Sequence, residues 1–174
     1  GNFIKWNPSI KTIEDQNALW DALISDKIDV IATDHAPHTF NEKNQLYVDC
    51  PSGGPLVQHS LYIMYEHFLE KRISLEKIVE KMCHNPAILF NIKKRGFIRE
   101  GFFADLVILR KNQSWVINKN NILYKCGWSP FEGKKINSMI THTFVSGNLA
   151  YENGVFNQNL SLIHISEPTR HKTI

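Results

Sequence analysis

An acidic residue and two histidines follow a short apolar run. The run is residues 28–32 (IDVIA), and Asp34, His35 and His38 come just after it. Such a run is typical of a buried strand whose end turns polar, and α/β-barrel active sites are built at strand ends of this kind. A carboxylate there could bind a metal ion or act as a general base, and an imidazole could bind an anionic or carbonyl substrate. The alternative is an N-capping Asp followed by surface histidines.

Helical patterns flank this segment. Apolar spacing predicts helices over residues 13–25 and 56–72, and Ser74 is placed to cap a third helix. A further helical turn is expected over residues 86–90. The intervening stretch, residues 36–55, is rich in Pro, Asn and Gly and is longer than a plain connection, which indicates a functional loop.

The pattern changes after residue 95. Short apolar runs separated by glycines predict strands rather than helices. The expected strands are residues 97–98, 104–109, 114–117 and 140–145, with a tight hairpin over 145–151.

The bulk composition is that of an ordinary globular protein. The 174 residues are 43% hydrophobic and 21% charged, with a net charge of +3. Lys and Arg are dispersed along the chain, which argues against a nucleic-acid partner, and no apolar run approaches the roughly 18 residues of a membrane span. Three cysteines without a C-x-x-C pair favour reduced thiols and a cytoplasmic location.

Residues 32–43 (ATDHAPHTFNEK) resemble the second sequence signature of the dihydroorotases, within the cyclic amidohydrolase superfamily. That signature is a small residue, Ser or Thr, Asp, any residue, Ala-Pro-His, four residues and Lys, and every position is met through Lys43. Hydantoinases and allantoinases share the Asp-His but typically lack the full string. Further similar segments are residues 5–9, 50–55, 84–87, 96–107 and 128–133.

The resemblance implies an α/β fold in two parts. Residues 1–95 would be the last portion of a TIM-barrel metal-dependent hydrolase, and residues 96–159 part of a small β-sandwich. Because the chain starts at Gly1 and not at Met, we expect it to begin inside a longer protein. Residues 160–174 resemble a translated sequencing adapter and are expected to be non-native, the alternative being a genuine terminal strand.

The resemblance also implies a zinc centre with one or two ions. Asp34 would ligate the metal at the end of the eighth barrel strand and act as the catalytic residue, taking a proton from the attacking water and passing it to the leaving nitrogen. His35 would orient Asp34. No His precedes Asp34, so the other metal ligands would lie upstream, and the 174-residue chain is expected to be inactive alone.

The same resemblance assigns substrate contacts to four residues. His38 would bind the carboxylate or a carbonyl of the substrate, and Asn7 would hydrogen-bond its ring. Gly53 and Gly54 would offer backbone groups. The other histidines that lie on predicted helices, such as His59, are expected to be surface or hydrogen-bonded side chains and not metal ligands.

A dihydroorotase reversibly converts N-carbamoyl-L-aspartate into dihydroorotate in pyrimidine synthesis, so the implied partner is a small molecule; a homo-oligomer is compatible with the resemblance. Two alternatives stay open. One is a sister cyclic amidohydrolase, such as an allantoinase or a dihydropyrimidinase. The other is a non-catalytic homologue that serves as an assembly partner, for example of a carbamoyltransferase. Such homologues usually lose metal ligands, whereas Asp34 and His38 are both present here.

Overall fold

The computed structural model describes residues 1–157, in which helices precede an antiparallel sheet. The expectations for residues 158–174 lie outside the described part. The helices are a 3-10 turn at Asn2–Ile4, α1 Ile13–Ile24, α2 Phe40–Lys43, α3 Ser60–Leu69, α4 Leu75–Val79, a π-helical turn at Glu80–His84, and α5 Asn85–Leu89. The strands are β1 Leu106–Val116, β2 Lys135–Val145, β3 Asn148–Glu152 and β4 Val155–Phe156.

The predicted helices are confirmed, with shorter bounds for α3. α1 begins after a capping box in which Thr12 accepts a hydrogen bond from the Asp15 amide and Asp15 accepts one from Thr12. Ser74 caps α4 as expected, because its side chain accepts from the Lys77 amide at 3.1 Å. The loop of residues 36–55 contains the unpredicted helix α2, which a second capping box starts at Thr39.

The strand expected at residues 28–32 is absent. Within residues 1–157, this segment forms no ladder, and its backbone is tied to the π-helical turn by the Ile31 amide, which donates to the Lys81 carbonyl at 3.0 Å. A parallel strand needs a hydrogen-bonded neighbour. In the described part of the chain, the only parallel link nearby is an isolated bridge between His35 and Gly54, three residues beyond this segment. The strand prediction is therefore wrong for this chain as it stands.

The C-terminal strands form one antiparallel sheet in the order β1-β2-β3-β4. The two strands predicted over residues 104–109 and 114–117 are a single strand, β1, that bulges against β2. Residues 97–98 form no strand, because Gly96 and Gly101, which have positive φ, bend the chain on both sides. The Phe97 ring instead stacks on the His84 ring, with 4.3 Å between the ring centroids. The second sheet of a sandwich and the domain boundary at residue 95 stay predictions.

The β2–β3 hairpin is confirmed. Ser146 and Gly147 have φ values of 51° and 81°, the backbone sign that a two-residue hairpin turn requires. The Asp105 carboxylate accepts from the Ser146 amide at 2.7 Å and pairs with Arg95. Asp105 thus fastens the turn.

Helix α3 joins the helices to the sheet. Its Met64 packs in a core with Leu23, Ile73 and Ile78 on the helical side. Its Tyr62 belongs to the core on the sheet side. The Glu66 carboxylate, also on α3, receives hydrogen bonds from the backbone and side-chain amides of Asn137 at 2.7 and 2.8 Å. None of the helices in residues 1–157 is long and apolar enough to cross a membrane.

Gly96 and Gly101 have nearly the same φ but different surroundings, so comparing them tests the packing around Gly96. Gly96 and Gly101 have φ of +79° and +78°, but a Cβ at Gly96 would lie 2.6 Å from the Cys83 carbonyl oxygen, whereas at Gly101 it would meet nothing within 4 Å. We expect Gly96→Ala to lower the free energy of unfolding by roughly 1–3 kcal/mol more than Gly101→Ala, because only the former adds a steric clash. Urea unfolding of both variants measures this, and equal losses would contradict the packing at Gly96.

Candidate active site

Three segments separated in sequence converge around Gly53 and Gly54. The Gly53 amide donates to the Lys5 carbonyl at 3.0 Å. The Ala36 amide donates to the Gly54 carbonyl at 3.2 Å, next to the bridge between His35 and Gly54. The segments that carry Asn7, Asp34–His38 and Gly53–Gly54 are therefore brought together, as expected if they share a site.

This close approach requires glycine at position 53 and leaves little room for a side chain at Gly54. A Cβ at Gly53 would lie 2.7 Å from the Ala36 Cβ, and Gly53 has a φ of +113°. A Cβ at Gly54 would lie 3.0 Å from the Trp6 ring and 3.3 Å from the Trp128 ring. A larger residue at Gly53 would push the segments apart, and one at Gly54 would press on the two tryptophan rings. Their expected backbone contacts to a substrate stay a prediction.

The Asp34 carboxylate is exposed. No hydrogen bond or ion pair to it is formed within residues 1–157, and its φ of +45° lies in the left-handed region. Asp tolerates this conformation better than most residues, and such backbone often occurs at functional positions. The carboxylate is free to bind a ligand.

The structure gives His35 a different partner from the one expected. Its Nδ1 accepts from the Leu56 amide at 3.0 Å and from the Val57 amide at 3.4 Å. No hydrogen bond joins it to Asp34 in the described part of the chain. The orienting role of His35 stays a prediction, and its observed contact is with the segment that leads into α3.

His38 is held at both its backbone and its ring. The Trp128 indole donates to the His38 carbonyl at 2.7 Å, and the ring Nε2 lies 3.1 Å from the Ser52 carbonyl oxygen. Because a carbonyl only accepts, Nε2 carries the proton, and Nδ1 is left for another partner. Asn7 is exposed, with its side-chain amide unbonded within the described residues.

The described residues do not complete a metal site. Within residues 1–157, no group of three or more His, Cys, Asp and Glu side chains could hold an ion. Zinc sites use three or four protein ligands. Asp34 can contribute one of them.

Two buried residues that sequence reasoning left without a role support the site. Lys43, the last residue of the matched string, is 0% exposed. His59 is also 0% exposed, and its Nδ1 lies 3.2 Å from the Ser129 hydroxyl and 3.5 Å from that of Tyr124. Burial lowers the pKa of His59 to about 4. The Ser-Pro-Phe-Glu-Gly segment at residues 129–133 was the available sequence signal for this contact.

The fold is that of the amidohydrolases. The sequence profile described as "Amidohydrolase family" matches residues 8–150. The chain belongs to this family.

Within the family, the similar curated proteins include several dihydroorotases. That of Endomicrobium trichonymphae is 36% identical over 149 residues, 85% of this chain and 35% of that protein. That of Clostridioides difficile (strain 630) is 34% identical over 152 residues, 87% of this chain and 35% of that protein. The chain thus spans about a third of the length of these relatives.

Solved structures agree on the fold. The L-hydantoinase (dihydropyrimidinase) from Arthrobacter aurescens superposes with a TM-score of 0.82 at 29% identity, covering 90% of this chain and 36% of that one. The α/β amidohydrolase fold expected from the sequence is therefore confirmed.

The buried His59 predicts a pH dependence of stability. Its pKa is about 4 in the folded chain and near 6.5 when unfolded, so the unfolded state binds more protons between these values, and stability falls as pH decreases through this window. We expect a loss of roughly 1–3 kcal/mol between about pH 6.5 and 4.5. Carboxylates with lowered pKa, such as Asp26 beside Lys77, lose their contribution at lower pH.

Urea unfolding at several pH values measures this loss. His59→Asn, which cannot titrate, should flatten the slope between about pH 5 and 6.5. An unchanged slope in that variant would show that another group is responsible.

Proposed function

We propose that the protein of which this chain is part is a cytoplasmic, zinc-dependent dihydroorotase that closes N-carbamoyl-L-aspartate to dihydroorotate, reversibly, in de novo pyrimidine synthesis. The observation that carries this is the complete string over residues 32–43. Its Asp34 carboxylate has no partner within residues 1–157, and its His38 and Lys43 contact the turn at residues 51–54. The similarity to dihydroorotases supports the same reading.

In this proposal Asp34 has two tasks. It provides one oxygen ligand to zinc, with the remaining ligands coming from outside residues 1–157, and it moves a proton between the attacking water and the amide nitrogen. Zinc, when bound, would act as a Lewis acid and lower the pKa of its water towards neutrality. Because the carboxylate has no competing partner in the described residues, its oxygens are available for both tasks.

His38 and Asn7 would recognise the substrate. With Nε2 donating to the Ser52 carbonyl, a neutral His38 offers only an acceptor at Nδ1. Binding of a substrate carboxylate at Nδ1 therefore requires the protonated ring, which donates from both nitrogens. The exposed Asn7 amide offers both a donor and an acceptor, which suits the N–H and C=O groups of a cyclic amide.

A dihydropyrimidinase-type activity is the second candidate. It is favoured by the structural likeness to a protein named L-hydantoinase (dihydropyrimidinase). The two functions differ at one group, because dihydroorotate carries a carboxylate on its ring and dihydrouracil does not.

A substrate panel on the full-length protein tests the activity. We expect turnover of dihydroorotate and little turnover of dihydrouracil, hydantoin or allantoin. Asp34→Asn keeps a side chain that tolerates the left-handed backbone but loses the proton acceptor, so kcat should fall at least about a hundredfold. Asp29→Asn, at an exposed carboxylate five residues earlier, should leave kcat unchanged. Turnover of dihydrouracil alone would favour the second candidate.

His38→Ala tests substrate recognition separately. Loss of a hydrogen bond to a charged group is worth about 1.5–3 kcal/mol, so KM for dihydroorotate should rise about tenfold or more. His67→Ala serves as the control, because His67 pairs with Glu70 on α3 away from the converging segments. An unchanged KM in His38→Ala would remove His38 from the binding site.

A further inference from the structure

The Lys43 ammonium is buried at the meeting point of the three segments. It is 0% exposed and donates to the carbonyls of Pro51 at 2.8 Å, Gly53 at 3.0 Å and Lys5 at 3.3 Å. An ammonium has three N–H donors, so these carbonyls use its full capacity. It has no donor left to offer a substrate.

This lysine is held without a carboxylate. Within residues 1–157, no acidic side chain pairs with Lys43, whereas the equally buried Lys81 pairs with Asp26 at 2.9 Å. Burial of an unpaired charge is costly, and here carbonyl dipoles alone offset the cost. The structural contribution of Lys43 is therefore the link among three backbone segments.

The three carbonyls lie close to groups that contact residues with a proposed role. Pro51 and Gly53 flank Ser52, whose carbonyl receives the His38 ring. The Lys5 carbonyl also receives the Gly53 amide and lies two residues before Asn7.

The Lys5 side chain binds the loop between Lys43 and the turn at residues 51–54. The Lys5 ammonium donates to the carbonyls of Tyr47 and Cys50, both at 2.6 Å. The Lys43 ammonium thus binds the backbone at Lys5, and the Lys5 ammonium binds the backbone of the loop that follows Lys43.

We propose that Lys43 is a positioning residue for substrate binding: its ammonium sets the placement of Asn7, His38 and the Gly53–Gly54 turn relative to one another. It acts through backbone carbonyls and does not touch the substrate. This inference rests on the proposed function, since it assigns those groups to one binding site.

Kinetics of the full-length protein test the proposal. Lys43→Met keeps an unbranched apolar side chain that is one atom shorter and removes all three donors, so the turn can shift. We expect KM for dihydroorotate to rise about tenfold while kcat stays within about threefold. The matched control is Lys81→Met, which also removes a buried ammonium and should lower the melting temperature while leaving KM within about twofold.

Hydrogen exchange provides a readout that does not depend on activity. The Gly53 and Ala36 amides, which donate across the converging segments, should exchange faster in Lys43→Met than in Lys81→Met. If Lys43→Met does not fold, Lys43→Gln, which retains two N–H donors, replaces it in both measurements and should show the same changes at smaller amplitude.

The outcomes separate the two claims. If the wild-type protein does not turn over dihydroorotate, the proposed function fails, whatever the exchange data show. If the wild type is active but the Lys43 variants keep a normal KM and normal exchange, the positioning role is wrong. Equal rises of KM in Lys43→Met and Lys81→Met would also overturn it, because they would reflect general loosening.

Discussion

The arrangement of the site depends on the close approach of Gly53 to Ala36 and Lys5. The approach leaves no space for a side chain at Gly53, and it aligns the amides and carbonyls of three segments so that they bond to one another. The neighbouring groups follow from this contact. His38 can reach the Ser52 carbonyl, and Trp6 can pack against Gly54, only because the turn lies at this distance.

Residues just before α3 and in the turn before β2 support this contact. The His35 ring receives the amides of Leu56 and Val57, and His59, a few residues later, meets the hydroxyl of Ser129. Trp128, next to Ser129, holds the backbone of His38. The turn before β2 is therefore part of the frame of the site although it is distant in sequence.

Local features of the sequence could be predicted, and non-local ones could not. Helices α1 and α4 and the β2–β3 hairpin follow from capping and turn residues that act within a few positions. The prediction of a strand at residues 28–32 was wrong, because a strand depends on a hydrogen-bonded neighbour and not only on its own apolar character. The string at residues 32–43 predicts roles for Asp34 and His38, which stay predictions. The hydrogen bond from Lys43 to Lys5 spans 38 residues and leaves no periodic signal. The burial of His59 could not be predicted either, because its contacts with Ser129 and Tyr124 are also distant in sequence.

The left-handed backbone at Asp34 has a consequence for how this lineage can change. Asn is the residue closest to Asp in both shape and backbone preference, and one nucleotide separates their codons. A gene could therefore lose the carboxylate in a single step and still encode a chain that folds in the same way. Under the proposed role of Asp34, a catalytically silent descendant would differ from this protein at that one residue, and its architecture would carry no record of the change.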